Sequence, residues 1–164
     1  MTEYLTSFLS LFISEQSQLL TMFFSAFLSA TLLPASSEVI FTAIASKHIL
    51  AERSFFSVPL LNLLTVATVG NSLGSLVTYF MGKLLPKPID PKSPYAKWAL
   101  EKSEQYGAVM LLLSWLPLVG DLLCGIAGWL RFNFWQVTLF IVVGKLARYL
   151  VLLGAVYPTV KFLL

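Results

Sequence analysis

The sequence predicts an all-α integral membrane protein with two inverted repeats, each a re-entrant broken helix followed by a transmembrane helix. Apolar residues make up 57% of the 164 residues and charged residues only 12%, whereas about a quarter of an ordinary soluble domain is charged. Two apolar segments are each interrupted by a proline with an acid four residues later, and each precedes a long apolar stretch. The length suits a single membrane domain over residues 1–164.

An amphipathic helix is predicted at the N-terminus, over residues 1–16. Its apolar side chains fall at i, i+3, i+4 and i+7 on one helical face: Leu5, Phe8, Leu9 and Phe12. This spacing is typical of a helix that lies in the membrane interface. The alternative, in which these residues begin the first membrane helix, stays open.

The first repeat is predicted over residues 17–82, and it begins with a broken helix. Pro34 removes a backbone donor and prevents one continuous helix through this apolar segment. Ser36 and Ser37 can cap a second half-helix that carries Glu38. Interrupted backbone is tolerated at membrane depth only where protein or a wet cavity satisfies it, so we expect the break to face the protein interior.

The remainder of the first repeat is the clearest spanning segment. Residues 54–82 contain no charged side chain and would form a helix of roughly 43 Å, longer than the hydrocarbon core of about 30 Å. Small and polar residues recur along one stripe of this helix: Ala67, Gly70, Asn71, Gly74, Ser75, Thr78 and Gly82. Such a stripe allows another backbone to approach closely. Packing within the chain and contact between two copies in a homodimer both remain open.

A polar loop over residues 83–104 separates the repeats. Five lysines and four prolines occur in it, against three acids. The lysine excess predicts a cytoplasmic position for this loop, and the prolines make its first half irregular.

The second repeat, residues 105–164, contains an interruption like that of the first. Its break is at Pro117 and Gly120, and Asp121 follows. Proline and acid recur here at the same offset of 83 residues from their counterparts in the first repeat. If both segments are re-entrant, they open on opposite sides of the membrane and their tips meet near its midplane, as in inverted-repeat carriers.

Four ionisable residues lie inside apolar segments: Glu38, Asp121, Lys145 and Arg148. A charge at the bilayer centre costs at least about 2.5–3.5 kcal/mol, so these two acids and two bases must face protein or a cavity. A structural ion-pair network is one interpretation. The other is a site in which Lys145 and Arg148 bind an anionic head group, assisted by half-helix N-termini, while the acids hold the bases or carry protons.

Catalysis is not predicted, and the sequence indicates neither a cofactor nor a metal. No metal-type cluster of ligands is evident, Cys124 is the single cysteine, and no glycine-rich phosphate loop precedes a helix. The net charge of +3 indicates which side the loops face rather than a nucleic-acid partner.

The motifs LPASSEV, GNSLGSLVTYFMGKLLP, KSEQYGAVMLLLSWLPLVGDLLCGIAGWLRFNFWQ and GKLARYL together resemble the DedA superfamily, the VTT-domain or SNARE-associated Golgi proteins. Within it they are most similar to the short bacterial YqaA branch, and the resemblance covers about residues 27–154. It implies two re-entrant helices that face each other in a multi-pass protein of the bacterial inner membrane. It also implies movement of phospholipids or polyprenyl phosphates between leaflets, often dependent on the proton gradient.

Individual positions both match the family and depart from it. Glu38 matches the acid of the first re-entrant motif, and Arg148 lies in the helix after the second. The family's second motif carries arginines, whereas this chain has Asp121 there, and Asn71 replaces an acid common after the first-repeat glycine. The usual phosphate-binding arginines are therefore absent, which leaves another lipid head group or a changed coupling scheme equally open.

These observations predict a membrane transporter, most directly a lipid translocase for a phospholipid or polyprenyl phosphate, with proton coupling as an option. Its expected partners are membrane lipids, an anionic head group as substrate, and a second copy in a homodimer. A carrier of small solutes coupled to protons or cations, and a membrane scaffold that transports nothing, are the alternatives. Five residues are predicted to bind substrate or couple protons: Glu38, Asn71, Asp121, Lys145 and Arg148.

Overall fold

A computed structural model describes residues 15–31, 36–52, 57–86, 101, 105–117 and 119–162. Most of the predicted interfacial helix, the break residue Pro34 and most of the polar loop lie outside these ranges. Glu15 and Gln16, which the sequence predicts at the end of the interfacial helix, lie in the first turn of the helix Glu15–Thr31.

The described ranges are helical and contain no strand, which confirms the all-α prediction for this part of the chain. The elements are α1 (Glu15–Thr31), α2 (Ser36–Glu52), α3 (Val58–Leu84), a 3₁₀ helix (Gly107–Trp115), α4 (Val119–Trp129) and α5 (Phe134–Phe162). Only α3 and α5, among the described helices, are long and apolar enough to cross a membrane. At 27 and 29 residues they measure roughly 40 and 43 Å.

The start of α3 is set by a proline. Ser57 is extended, with φ −93° and ψ 148°, and Pro59 occupies the first turn, where its missing N–H would have had no helical partner. The helix therefore begins at Val58, a few residues after the predicted start.

Both interrupted segments are divided near the predicted positions. In the first, α1 ends at Thr31 and α2 begins at Ser36. In the second, Leu116 is extended, with φ −72° and ψ 131°, because Pro117 disfavours helical backbone in the residue before it.

The first half of the second segment differs from an α-helical half-helix because it winds as a 3₁₀ helix. Nine residues is long for this conformation. Gly107 is the first residue of this 3₁₀ helix. Its φ is +57°, a left-handed conformation that glycine adopts at little cost. The tighter helix lies directly against α5, where the carbonyl groups of Leu111 and Leu112 surround Gly144.

The helices pack in the same pattern in both halves of the chain. The first helix of each broken segment packs on the long helix that follows it, so α1 contacts α3 and the 3₁₀ helix contacts α5. The second helix crosses over, so α2 contacts α5 and α4 contacts α3. The two long helices also contact each other.

The small-residue stripe of α3 packs against other helices of the same chain. A Cβ atom on Gly70 would lie 2.7 Å from the carbonyl oxygen of Phe23 in α1, and one on Gly74 would overlap that of Phe27. Further along the stripe, Gly82 lies against the backbone of Gly125 in α4. Of the two interpretations of the stripe, packing within the chain is therefore the one that the structure supports.

The outward faces of both long helices are apolar. Large exposed side chains follow one another along them: Val69, Leu73, Val77 and Phe80 on α3, and Leu139, Val143, Leu146 and Leu150 on α5. Exposed apolar faces of this extent suit hydrocarbon rather than water.

Candidate functional site

A polar layer crosses the interior between two apolar clusters. One cluster surrounds Phe41 and Tyr149, and the other surrounds Tyr79 and Val137. Each of α3 and α5 contributes one segment to the first cluster and another segment to the second cluster. The buried polar residues of each helix lie between its two segments. The layer contains all five residues predicted to bind substrate or couple protons: Glu38, Asn71, Asp121, Lys145 and Arg148.

The first ion pair of this layer joins α4 to α5. Lys145 Nζ donates to Asp121 Oδ1 at 2.7 Å, and Ser75 Oγ on α3 donates to the same oxygen at 3.1 Å. The Lys145 side chain is 0% exposed and that of Asp121 is 24% exposed. Asp121 lies in the first turn of α4, where the helix dipole also stabilises a negative charge.

The second ion pair joins α2 to α5. The Arg148 guanidinium donates through Nη2 to Glu38 Oε1, and Glu38 lies in the first turn of its own helix. The side chain of Arg148 is 6% exposed and that of Glu38 is 32% exposed. In both pairs, therefore, the base is buried and the acid is the accessible member.

Asn71 and Tyr149 connect the two long helices inside the layer. Asn71 Nδ2 donates to the Tyr149 hydroxyl at 2.9 Å, and both side chains are almost fully buried. Asn71 Oδ1 and Arg148 Nε have no hydrogen-bond partner among the described residues. Tyr149 was not among the predicted site residues, although it lies four residues after Lys145 and so on the same helical face.

Two of the break residues contribute contacts between or within helices. Ser36 and Ser37 are the first two residues of α2, and the capping role that the sequence predicts for them stays a prediction. Ser37 Oγ donates to Ser29 Oγ on α1 at 3.1 Å, which ties the two halves of the segment together. Gly120 lies against the backbone of Ser114, and its N–H donates to the Leu116 carbonyl across Pro117.

A groove of about 390 Å³ runs between the end of α1, the last turns of α3 and the outer face of α4. Asp121 lines one part of the groove, and Leu85 and Trp129 line another. Along α4, Asp121 and Trp129 are roughly 12 Å apart. The other lining residues are mostly apolar: Thr31, Thr78, Met81, Gly82, Leu122, Gly125 and Ile126.

Removing the Tyr149 hydroxyl should destabilise the protein by about 1–3 kcal/mol, because a buried Asn71 amide would lose its partner. Thermal unfolding of Tyr149→Phe in detergent measures this loss. Asn71→Leu combined with Tyr149→Phe should recover most of it, since neither polar group then remains unpaired. Equal stability of wild type and Tyr149→Phe would contradict the bond's contribution.

Among the described residues, no group of three or more His, Cys, Asp or Glu side chains is arranged to hold a metal ion. The exposed charged groups of the two ion pairs are the carboxylates of Asp121 and Glu38, and each is paired with a buried base.

Comparisons with known proteins agree on one family. A family model described as the VTT domain matches residues 49–158. An uncharacterized protein of Haemophilus influenzae is 53% identical over 147 residues, which cover 90% of this chain and 92% of the relative. The inner membrane protein YqaA of Escherichia coli is 43% identical over 142 residues, covering 87% and 93%, and YqaA of Shigella flexneri matches to the same extent. No solved structure matches.

Proposed function

The chain belongs to the VTT-domain family, within the DedA superfamily and close to its YqaA branch, and we propose that it is a lipid translocase of the bacterial inner membrane. One observation carries the proposal: Glu38 and Asp121 each remain accessible while paired with a buried base in a polar layer. Ionisable groups within membrane segments are costly and usually mark a transport pathway. The location follows relatives that are named inner membrane proteins and the two long apolar helices.

We propose that the broken segments are re-entrant and belong to inverted repeats. Support comes from the packing, in which each segment contacts its own long helix with one half and the other long helix with the second half. The acids at the starts of α2 and α4 both lie within the polar layer. A site formed where two broken helices meet can be exposed alternately to either side.

The scaffold alternative is favoured by a specific observation, since both bases are already paired. A purely structural ion-pair network requires only that each base is paired with an acid. Transport makes a further demand, namely that the acids change partners, and the accessibility of both acids fits that demand. The small-solute carrier shares these acids and differs only in its substrate.

Translocation of fluorescent phospholipids in proteoliposomes tests the proposal. We expect the reconstituted protein to exchange labelled lipid between leaflets faster than protein-free vesicles do. Glu38→Gln should lower the rate by roughly tenfold or more, equivalent to about 1.4 kcal/mol in the barrier, because the neutral side chain no longer pairs with or releases Arg148. Glu15→Gln is the matched control, since Glu15 is exposed in the first turn of α1 and outside the layer.

Exchange of the charges separates the alternatives. If Glu38→Arg combined with Arg148→Glu restores the rate, the pairing alone accounts for the role of Glu38. If the exchanged protein folds but remains slow, the acid is needed at its own position. Lack of lipid movement by the wild type, with and without a pH gradient, would leave the carrier and the scaffold as the remaining functions.

A further inference from the structure

The 3₁₀ helix, which packs on α5, buries every third residue. Its buried side chains are Ala108, Leu111 and Ser114, and this spacing matches the three residues per turn of the conformation. The side chains between them are apolar as well, so the hydrophobic pattern suits an α-helix equally well. Runs longer than three or four residues are uncommon for a 3₁₀ helix, and they often occur at functional hinges.

Ser114 is poorly satisfied in the 3₁₀ winding. Its hydroxyl is buried without a hydrogen-bond partner among the described residues, and a Cβ atom on Gly144 would overlap it. An unpaired buried hydroxyl destabilises the winding that holds it there. In an α-helix a serine hydroxyl can donate to the carbonyl four residues earlier, and Ser114 would lie about 120° around the helix from Ala108. An α-helical winding would therefore turn Ser114 out of the interface with α5.

Gly107 is the joint at which the winding changes. Gln105 and Tyr106 before it are α-helical, Gly107 has a φ of +57°, and the 3₁₀ winding follows. A continuous α-helix through this point requires a right-handed conformation, which glycine adopts as readily as the left-handed one. No atom lies within 4 Å of a Cβ at this position, so a side chain added here would change the backbone preference without a clash at that atom.

We propose that Gly107–Trp115 is a two-state segment, which alternates between 3₁₀ and α-helical winding and thereby moves the start of α4. The inference rests on the proposed translocation for its purpose and identifies a moving part of the same site. Nine residues measure roughly 18 Å as a 3₁₀ helix and roughly 13.5 Å as an α-helix. The corresponding half of the first broken segment, α1, packs on its long helix in the α-helical winding, so this kind of packing accepts both forms.

The change in length reaches the polar layer through the second break. Only three residues separate the 3₁₀ helix from α4. The N–H of Gly120 donates to the Leu116 carbonyl, and Gly120 lies against the backbone of Ser114. Asp121 is the next residue and pairs with Lys145 on α5. Conversion of the segment therefore displaces Asp121 relative to its base, which is the kind of partner change that transport requires.

Replacement of Gly107 shifts the balance between the two windings. Alanine disfavours the left-handed conformation by roughly five- to thirtyfold in population, so Gly107→Ala should favour the α-helical form. Gly107→Asn is the matched control, because asparagine also adds a side chain but tolerates the left-handed conformation.

Alkylation of a cysteine at position 114 measures the winding. The substitution Ser114→Cys is made in a Cys124→Ala protein, since Cys124 is the single native cysteine. Position 114 is 0% exposed in the 3₁₀ form and turned away from α5 in the α-helical form. In detergent, N-ethylmaleimide should therefore react roughly five- to thirtyfold faster in Gly107→Ala than in Gly107→Asn.

Fluorescence of Trp115 gives an independent signal of opposite sign. Trp115 is 40% exposed in the 3₁₀ form, whereas in an α-helix it shares a face with Ala108 and Leu111. Lipids with brominated chains should therefore quench Trp115 less in Gly107→Ala than in Gly107→Asn. The comparison uses proteins in which the other tryptophans are replaced by phenylalanine.

The outcomes separate this inference from the proposed function. Equal alkylation rates in the two Gly107 variants, or equal quenching of Trp115, would overturn the two-state segment even if the wild type translocates lipid. A shift of both signals, with no translocation by the wild type in vesicles, would support the two-state segment and reject the translocase.

Discussion

Replacing Asp121 with asparagine should destabilise the protein by about 3–5 kcal/mol, the usual cost of leaving a buried charge without its partner. Lys145 is 0% exposed, and Asp121 is its ion-pair partner on α4. The charge of Lys145 would then have only a neutral amide opposite it and no compensating negative charge. Chemical denaturation in a fixed detergent, compared with wild type, measures the loss.

The complementary variant, Lys145→Met, should cost less. Asp121 is 24% exposed and lines the groove, so its carboxylate is less completely buried than the Lys145 ammonium when its partner is removed. The double variant, Asp121→Asn with Lys145→Met, should recover most of the stability, because no uncompensated charge remains. A favourable coupling energy in this double-mutant cycle is the quantity that the ion pair predicts, and strictly additive losses would contradict it.

The same double variant is informative about function. If it folds with near wild-type stability but no longer moves lipid, the pair has a role beyond holding α4 against α5. If it folds and still moves lipid at the wild-type rate, the Lys145 pair is structural and the transport pathway must depend on the Glu38 pair. Both results are read from the proteoliposome assay that tests the wild type.

Composition and the cost of charge in a bilayer were enough to predict the four ionisable residues of the polar layer. Two acids and two bases in apolar segments cannot all face lipid, and the structure brings each acid to a base. The choice of partner was not predictable. Lys145 and Arg148 lie on one face of α5. Which acid meets which base depends on the packing of α2 against α5 and of α4 against α3.

The sequence also predicted the interruptions but not the contacts around them. Proline determines where a helix stops, so the division before Val119 followed directly from Pro117. A serine near a break commonly caps the helix that follows it, and this is the role that the sequence predicts for Ser37. The contact of Ser37 with Ser29, eight residues earlier on a different helix, depends on how α1 and α2 fold together and has no signal in the sequence.

The accessible acids are the feature that sequence reasoning left undecided. Residue types indicated an ion pair, but burial of the base and exposure of the acid depend on side-chain direction. Lysine and arginine are long enough to reach across an interface from a distant helix, and here both extend from α5. The predicted site binds an anionic head group through bases that the acids hold or that they serve by carrying protons, and in the structure each base is paired with a carboxylate that is more exposed than the base.

Alanine at Gly128 should destabilise the protein by at least about 1–3 kcal/mol, the range for overpacking a close interface. A Cβ at this position would overlap the Tyr79 carbonyl oxygen and lie 3.1 Å from the Lys83 amide nitrogen. Both neighbours are backbone atoms of α3, so relief requires α4 to move away as a whole. That movement would also disturb Asp121 at the other end of the same helix.

Gly125→Ala is the matched control, one turn earlier on α4. Its Cβ would meet only the Thr78 methyl group, at 3.7 Å. In a helix interior alanine is favoured over glycine by about 0.8–1.0 kcal/mol, so this variant should be as stable as wild type or more stable. Thermal unfolding of the two variants in one detergent should therefore give shifts of opposite sign. Shifts of the same sign and size would mean that α4 does not approach α3 at Gly128 as closely as the structure places it.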